Sequence, residues 1–281
     1  MSKLILCTTK TAETPFTFLN TKVEIYTYEE LCFYIYNNTV LISRSVLSDK
    51  LFDWIRTELG MEELADKLVG LMNKTAYVQD ILIEILNAGD YYTVDEIKEY
   101  TETWQKYRKL NKLQKAKLKA DGYLAYRRYI KAATFYDDII DEILNGNGEG
   151  YDPVFLGNLY HNRAVASANN MDLDDAKDFF MKAYELNDNP DSLKSYFYIV
   201  AITSDTASLK QEIRNMGLPD EYLEEIMSEI GESKDDVREM TIFAMLQRAA
   251  YNKMNKDMAD YDKRMDIILS ELKDDFREQA I

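Results

Sequence analysis

Only ten glycines and four prolines interrupt the 281 residues of this chain. Glycine breaks regular backbone through its excess conformational entropy, proline through its missing N–H. A chain so poor in both lacks the turns that a many-stranded sheet requires. It reads instead as long helices with short connections. Apolar residues make up 46%, enough for a buried core, so disorder as the main state is excluded. The length suits one large domain or two modest ones.

The N-terminal stretch departs from this pattern. Lys3–Cys7, Phe16–Leu19 and Lys22–Tyr26 are short and rich in β-branched or aromatic residues, with Thr- and Asn-containing turns between them. Two or three small strands are expected there, packed on the helices that follow. Those helices are marked by their caps. Thr27-x-x-Glu30 and Thr93-x-x-Glu96 are capping-box patterns, in which side chains satisfy backbone N–H groups that the first turn leaves unpaired. Ser48 precedes Leu51, Trp54 and Ile55, with Gly60 as a natural stop. Met61–Met72 and Tyr77–Leu86 follow, and Ile97, Tyr100, Trp104 and Tyr107 form one stripe after Thr93. Asn145–Pro153 is the strongest breaker loop, and Met216–Pro219 is a second break. A short acidic helix is expected over Asp220–Ile230, then helix from Ser233 onward. Val237, Met240, Ala244, Gln247, Tyr251, Met254, Met258, Tyr261, Met265, Ile268, Leu272 and Phe276 recur there at alternating three and four, as in a heptad seam. An antiparallel helix pair broken near Asn252–Asn255 and a coiled-coil dimer arm are the two readings of that seam.

Charge narrows the classes of partner. The chain carries a formal −16, which opposes nonspecific approach to nucleic acid or to an anionic membrane. Gln105–Ala133 holds ten Lys or Arg and one acidic residue, a local +9, so the remainder carries −25. Arg108, Lys112, Lys115 and Lys119 fall on one helical stripe within it. A solvated face, a site for an acidic protein segment and, last, a nucleic-acid site are its readings in that order. No apolar run reaches the ~18 residues of a membrane span. The apolar stretch Leu4–Cys7 is too short for a signal peptide, and Cys7 and Cys32 make no disulfide or metal framework. The expectation is a cytoplasmic protein with both thiols reduced and buried.

The middle of the chain repeats itself. Ala120 and Ala132 lie twelve apart, as do Ala164 and Ala176, and the two sets align with a shift of 44 residues. Tyr123, Tyr129, Tyr136 and Ile139 accompany the first set; Leu173, Phe180 and Ala183 accompany the second. Small residues on two antiparallel helices let their backbones approach, and bulky ones fill the space toward the next helix. On these residues the chain resembles a tetratricopeptide repeat (TPR) protein, with copies at about Leu113–Gly146 and Gly157–Pro190. Arg127 stands at a turn where small residues are usual, Ser167 where tyrosine is common, and Pro190 two residues late. Asp191–Thr203 with Ser208–Arg214 is a candidate third copy whose small residues do not align. The layout also resembles an uncharacterised bacterial family with a small N-terminal module before TPR-like helices.

The resemblance implies a mostly α fold: a TPR-like helical-hairpin array with a small N-terminal β-containing module and C-terminal capping helices. The implied divisions are 1–92, 93–216 and 217–281. It further implies a concave surface lined by Gln114, Lys117, Asp121, Leu124, Asn158, His161, Asn162 and Val165, where TPR proteins hold peptides. Lys117 and Asn162 fit a clamp for a terminal carboxylate, but Asp121 stands where such a clamp needs asparagine and would repel the anion.

Catalytic signals are sparse. His161 is the only histidine, and no GxSxG, HExxH, GxGxxG or Walker A pattern occurs. Gly148-Glu149-Gly150 is too irregular for a phosphate cradle. Asp172, Asp174, Asp175 and Asp178 lack the glycine and terminal glutamate of a calcium loop and read as support for a helix N-terminus. No metal and no cofactor is expected. The expected role is a non-enzymatic adaptor or scaffold that binds a protein or peptide, an acidic one where the basic stripe takes part. The alternative is a structural protein that self-assembles, as a homodimer or larger, through the C-terminal seam.

Overall fold

A computed structural model describes residues 10–74, 76–147, 152–239 and 241–280. The described residues form fourteen α-helices and one two-stranded sheet, in two compact units that divide between Tyr126 and Arg127. The boundary differs from the divisions at 92 and 216 expected from sequence. Cys7 and the expected strand Lys3–Cys7 lie outside the described residues, as do positions 148–151 of the glycine-rich loop.

In the first unit, β1 (Phe16–Phe18) and β2 (Val23–Ile25) pair antiparallel with Phe16 opposite Ile25. So small a hairpin is stable only against helices. It packs Phe18 flat on Tyr34 of α1 (Tyr28–Asn37), ring centroids 3.7 Å apart. The capping box of α1 forms as expected, with Thr27 Oγ1 accepting from Glu30 N and Glu30 Oε2 accepting from Thr27 N. After a 3-10 turn at Thr39–Leu41 come α2 (Asp49–Thr57), α3 (Glu62–Asn73) and α4 (Val78–Asn87). Gly60, with φ +70°, makes the turn between α2 and α3. Ile81, Leu82, Ile85 and Leu86 of α4 are wholly buried, and Tyr28 Oη donates to Ile85 O at 2.6 Å. Cys32 is a free thiol in this core, and burial pushes its pKa up to about 12.

The second capping box, Thr93 with Glu96, opens α5 (Val94–Lys109). Its stripe Ile97, Tyr100 and Trp104 joins the core of the first unit, which is why residues after 92 belong with that unit. A third capping box, Asn111 with Gln114, opens α6 (Lys112–Ala125). This helix lies on the 3-10 turn so closely that a Cβ at Gly122 would sit 2.9 Å from Leu41 Cδ2.

The second unit is helical throughout its described residues. It contains α7 (Tyr129–Glu142), α8 (Pro153–Asn169), α9 (Leu173–Asn187), α10 (Pro190–Thr203) and α11 (Thr206–Asn215). It ends with α12 (Asp220–Glu239), α13 (Thr241–Met254) and α14 (Met258–Ala280). Each helix from α7 to α14 packs on the next in sequence, and α14 also returns to α7. The acidic helix expected over Asp220–Ile230 runs on to Glu239. The expected pair is present as α13 and α14, broken at 255–257.

The seam itself is corrected. Ala244, Gln247, Tyr251, Met254 and Met258 face solvent, and among the described side chains of α13 the buried ones are Ala249 and Asn252. Asn252 Nδ2 donates to Asp260 across the break, and Lys253 covers the Tyr261 ring, so polar contacts set the face that α13 turns inward. Ile268 is the one expected seam position that is fully buried among those described. The side chains of Val237, Met240 and Phe276 lie outside the described residues.

Candidate functional site: the face of the second unit's helical hairpins

The local sequence of α8 to α11 explains how these helices are held. Asp152 Oδ1 accepts from Val154 N at 3.0 Å, and Pro153 occupies the first helical position, where a missing N–H costs nothing. Pro190 does the same for α10 behind its cap Asn189. The late proline therefore starts the next helix rather than closing the previous one. Asp205 caps α11 by accepting from Ser208 N at 2.7 Å, and that hydrogen bond holds its carboxyl below the usual range. The connections also repeat: Arg127 before α7 and Met171 before α9 both adopt left-handed backbone, φ +55° and +64°. They stand 44 residues apart, the same shift that relates the alanines.

Between α8 and α9 the crossing is close. Ala164, Ala176 and Ala183 are 0% exposed, with Phe180 buried beside them. A Cβ at Gly157 would lie 2.7 Å from Asn187 Cγ, so the bare backbone at residue 157 lets α8 pass the Asn187 side chain as it stands. A polar network ties the helices together. Asn187 Nδ2 donates to Asn158 Oδ1 at 3.1 Å. Arg163 of α8 donates from Nε to Asp137 Oδ1 of α7 at 2.7 Å, and from Nη1 to Ser167 Oγ at 2.5 Å. Its guanidinium lies 4.9 Å from the Phe179 ring centre.

His161 sits at the meeting of α8, α9 and α10. Its Nδ1 and Ser192 Oγ are 2.9 Å apart, and its ring meets Phe180 edge-on at 5.4 Å. Burial lowers its pKa from the ordinary imidazole value, opposed by Asp191, so the site favours the neutral ring. The pair with Ser192 does not make a nucleophile: Ser192 is 0% exposed, so no substrate carbonyl reaches its Oγ.

The expected groove residues fall in two groups. Asn158, His161, Asn162 and Val165 lie on α8 in the second unit. Asn158 is exposed, His161 and Asn162 are half-buried, and Val165 packs on the core. Gln114, Lys117, Asp121 and Leu124 lie on α6 in the first unit. There Gln114 serves its own helix cap, and Lys117 Nζ donates to Asp121 Oδ2 at 2.7 Å. Lys117 is thus already neutralised. In the basic stripe, Arg108 covers the Tyr77 ring at 5.9 Å, while Lys115 covers Tyr107 at 5.7 Å and donates to Arg108 O at 3.0 Å. Lys112 and Lys119 also have partners. Asp174 and Asp175 lie in the first turn of α9, where the helix dipole favours them.

A cavity of about 640 Å³, unforeseen from sequence, lies among α10, α12 and α13. Ile202, Ile230 and Phe243 give it apolar walls, and Tyr198 and Glu229 line it as well. Tyr198 Oη donates to Glu229, and Lys194 Nζ donates to Glu229 at 2.6 Å and to Glu225 at 2.8 Å. Burial and then Glu229 push Tyr198 up to about 12, while Lys194 and Tyr198 hold Glu229 below the usual carboxylate range. Lys194 and Tyr198 share one helix face at a spacing of four, as do Glu225 and Glu229. That pattern was visible; the pairing of the two rows was not, because acidic rows occur along most of the chain.

No group of three His, Cys, Asp or Glu among the described residues is placed to hold a metal ion, and no described helix is long and apolar enough to cross a membrane. No family model, curated protein or solved structure matches the chain.

Proposed function

We propose that the protein is a non-enzymatic adaptor that holds a protein segment on a TPR-like array of helical hairpins. The observation that carries this reading is the shared 44-residue shift. Small residues at 120 and 132 recur at 164 and 176, and left-handed turn residues at 127 recur at 171. In the second copy those alanines lie sealed between α8 and α9, and α10 with α11 adds a further helix pair where a third copy was suspected. Repeats of this kind present the first helix of each pair to a partner. Asn158, His161, Asn162 and Val165 on α8 are the binding residues within the second unit. The Lys117–Asp121 pair argues against a clamp for a free carboxylate and for recognition by polar and apolar side chains. Affinity capture from native lysate compares wild type with a folded Asn158→Ala, Asn162→Ala variant. The partner recovered by wild type should be lost from the variant; equal recovery removes this face as the binding site.

A second reading, self-assembly, is favoured by Tyr251, Met254 and Met258, which are 65%, 83% and 46% exposed around the α13–α14 turn.

A further inference from the structure

We infer that the first unit carries a separate pocket for a lysine or arginine side chain presented by a basic protein segment. The inference goes beyond the hairpin-array reading, since every residue it uses lies before Arg127. The pocket, about 440 Å³, forms where β2 turns into α1, and its volume falls within the roughly 300–1,000 Å³ typical of binding sites.

Its shape follows from the capping box. Folding the chain back at Tyr26–Glu30 brings Glu24, Glu29 and Glu30 to one opening, with Phe33 one turn further along α1. The floor is Tyr34, fixed by its stack on Phe18 and by a 2.8 Å hydrogen bond between its Oη and Thr21 Oγ1. Tyr91 and Tyr126 form the walls. The exposed carboxylates of Glu24 and Glu30 and four aromatic rings therefore line one space, with Glu29 buried beside them on a partner of its own, and among the described residues no Lys or Arg lines it.

This combination selects for an organic cation. Anions are repelled, and a neutral ligand gains less from the carboxylates than a cation does. A cation over aromatic faces is attracted by the ring quadrupole, and more strongly where water is displaced. Glu30 uses Oε2 for the Tyr26 and Thr27 amides, and Glu24 uses Oε2 for Tyr26 Oη, so each keeps Oε1 to accept from a ligand. A bare divalent ion does not fit, since these oxygens do not converge on a metal position.

The apolar rim points to a side chain on a protein rather than to a free amine. Phe33 is 57% exposed, a full ring that the aliphatic stem and flanking residues of a segment would cover. The chain's formal −16 steers basic segments toward the protein.

The test uses the full chain and fluorescence polarisation. The probe is a labelled ten-residue peptide of lysine, alanine and leucine, compared with its fully lysine-acetylated form and with spermidine as competitor. Phe33→Ala and Glu24→Gln alter exposed side chains and keep the capping box, and circular dichroism verifies their folding. The lysine peptide should bind, acetylation should weaken it at least about ten-fold, and Phe33→Ala should weaken it roughly three- to ten-fold. Nonspecific attraction to an acidic protein would not depend on Phe33. Four results would each overturn the inference. They are no binding, equal binding of the acetylated peptide, wild-type affinity in both variants, and binding of spermidine without the peptide.

Discussion

Leucine in place of Ala164 tests how closely α8 and α9 approach, because the sign of the effect depends on whether space exists. The substitution adds three carbons at a site that is wholly buried. With room to spare, burying them at about 0.8 kcal/mol each would stabilise the hairpin by roughly 2.4 kcal/mol. The structure argues for the opposite sign. One end of the same crossing is already tight, since a Cβ at Gly157 would meet the Asn187 side chain at 2.7 Å and force it to shift. Ala176 and Ala183 are sealed as fully as Ala164. Overpacking then costs about 1–3 kcal/mol. Amide hydrogen exchange, followed by mass spectrometry over residues 153–187, reads this unit without requiring the two units to unfold together. Exchange through opening of α8 and α9 should accelerate roughly 5- to 150-fold. Ala207→Leu on the exposed face of α11 is the control and should change stability by no more than about 0.5 kcal/mol. Slower exchange in Ala164→Leu would refute the close-packing argument, and with it the physical basis of the repeat.

The remaining predictions concern His161 and the C-terminal helices. Because the chain has one histidine, its imidazole titration is read without assignment by NMR, and it should fall below 6.5. The depressed value means the fold favours the neutral ring: that stabilisation is fully present above 6.5 and is lost as pH falls through the folded pKa. His161→Gln should remove this part of the pH dependence; a titration at or above 6.5 would contradict the burial of the ring. If Tyr251, Met254 and Met258 form an assembly surface, light scattering should give at least twice the 32.8 kDa chain mass, and replacing all three with lysine should restore 32.8 kDa. A wild-type monomer at high concentration ends that reading.

What sequence reveals in this chain is set by the range of the interaction. Capping boxes at Thr27 and Thr93 are contained within four residues, so their formation was legible, as were the two short strands after Pro15. The α13–α14 pair was legible too, but its inward face was not. A run of Met, Tyr and Ala at alternating three and four contains more than one half-apolar stripe, and Asn252 with Asp260 decides which of them is buried. The unit boundary left no mark because no glycine or proline stands at Tyr126–Arg127. What placed α5 with the first unit was the burial of Ile97, Tyr100 and Trp104 in a core whose other members reach back to Ala12.

The candidate site divides along the same line. His161 was singled out as the only histidine, but its partner Ser192 lies 31 residues away with no motif to connect them. Lys194 finds Glu225 and Glu229 across a similar distance. In a chain with 50 acidic residues, no spacing rule selects two of them in advance. The Phe33 pocket is the intermediate case. Its glutamates are local, Glu24 in β2 and Glu29 and Glu30 in the first turn of α1, so a strand-to-helix turn with three carboxylates near an aromatic was readable. Tyr91 and Tyr126, which add rings to the lining of that acidic turn, come from distant elements and emerge only when the helices pack. Acidic clusters at helix starts are ordinary consequences of the helix dipole. The rings brought in by tertiary packing are what distinguish this one, and for that reason the Phe33 substitution, rather than the loss of a carboxylate, is the decisive arm of its test.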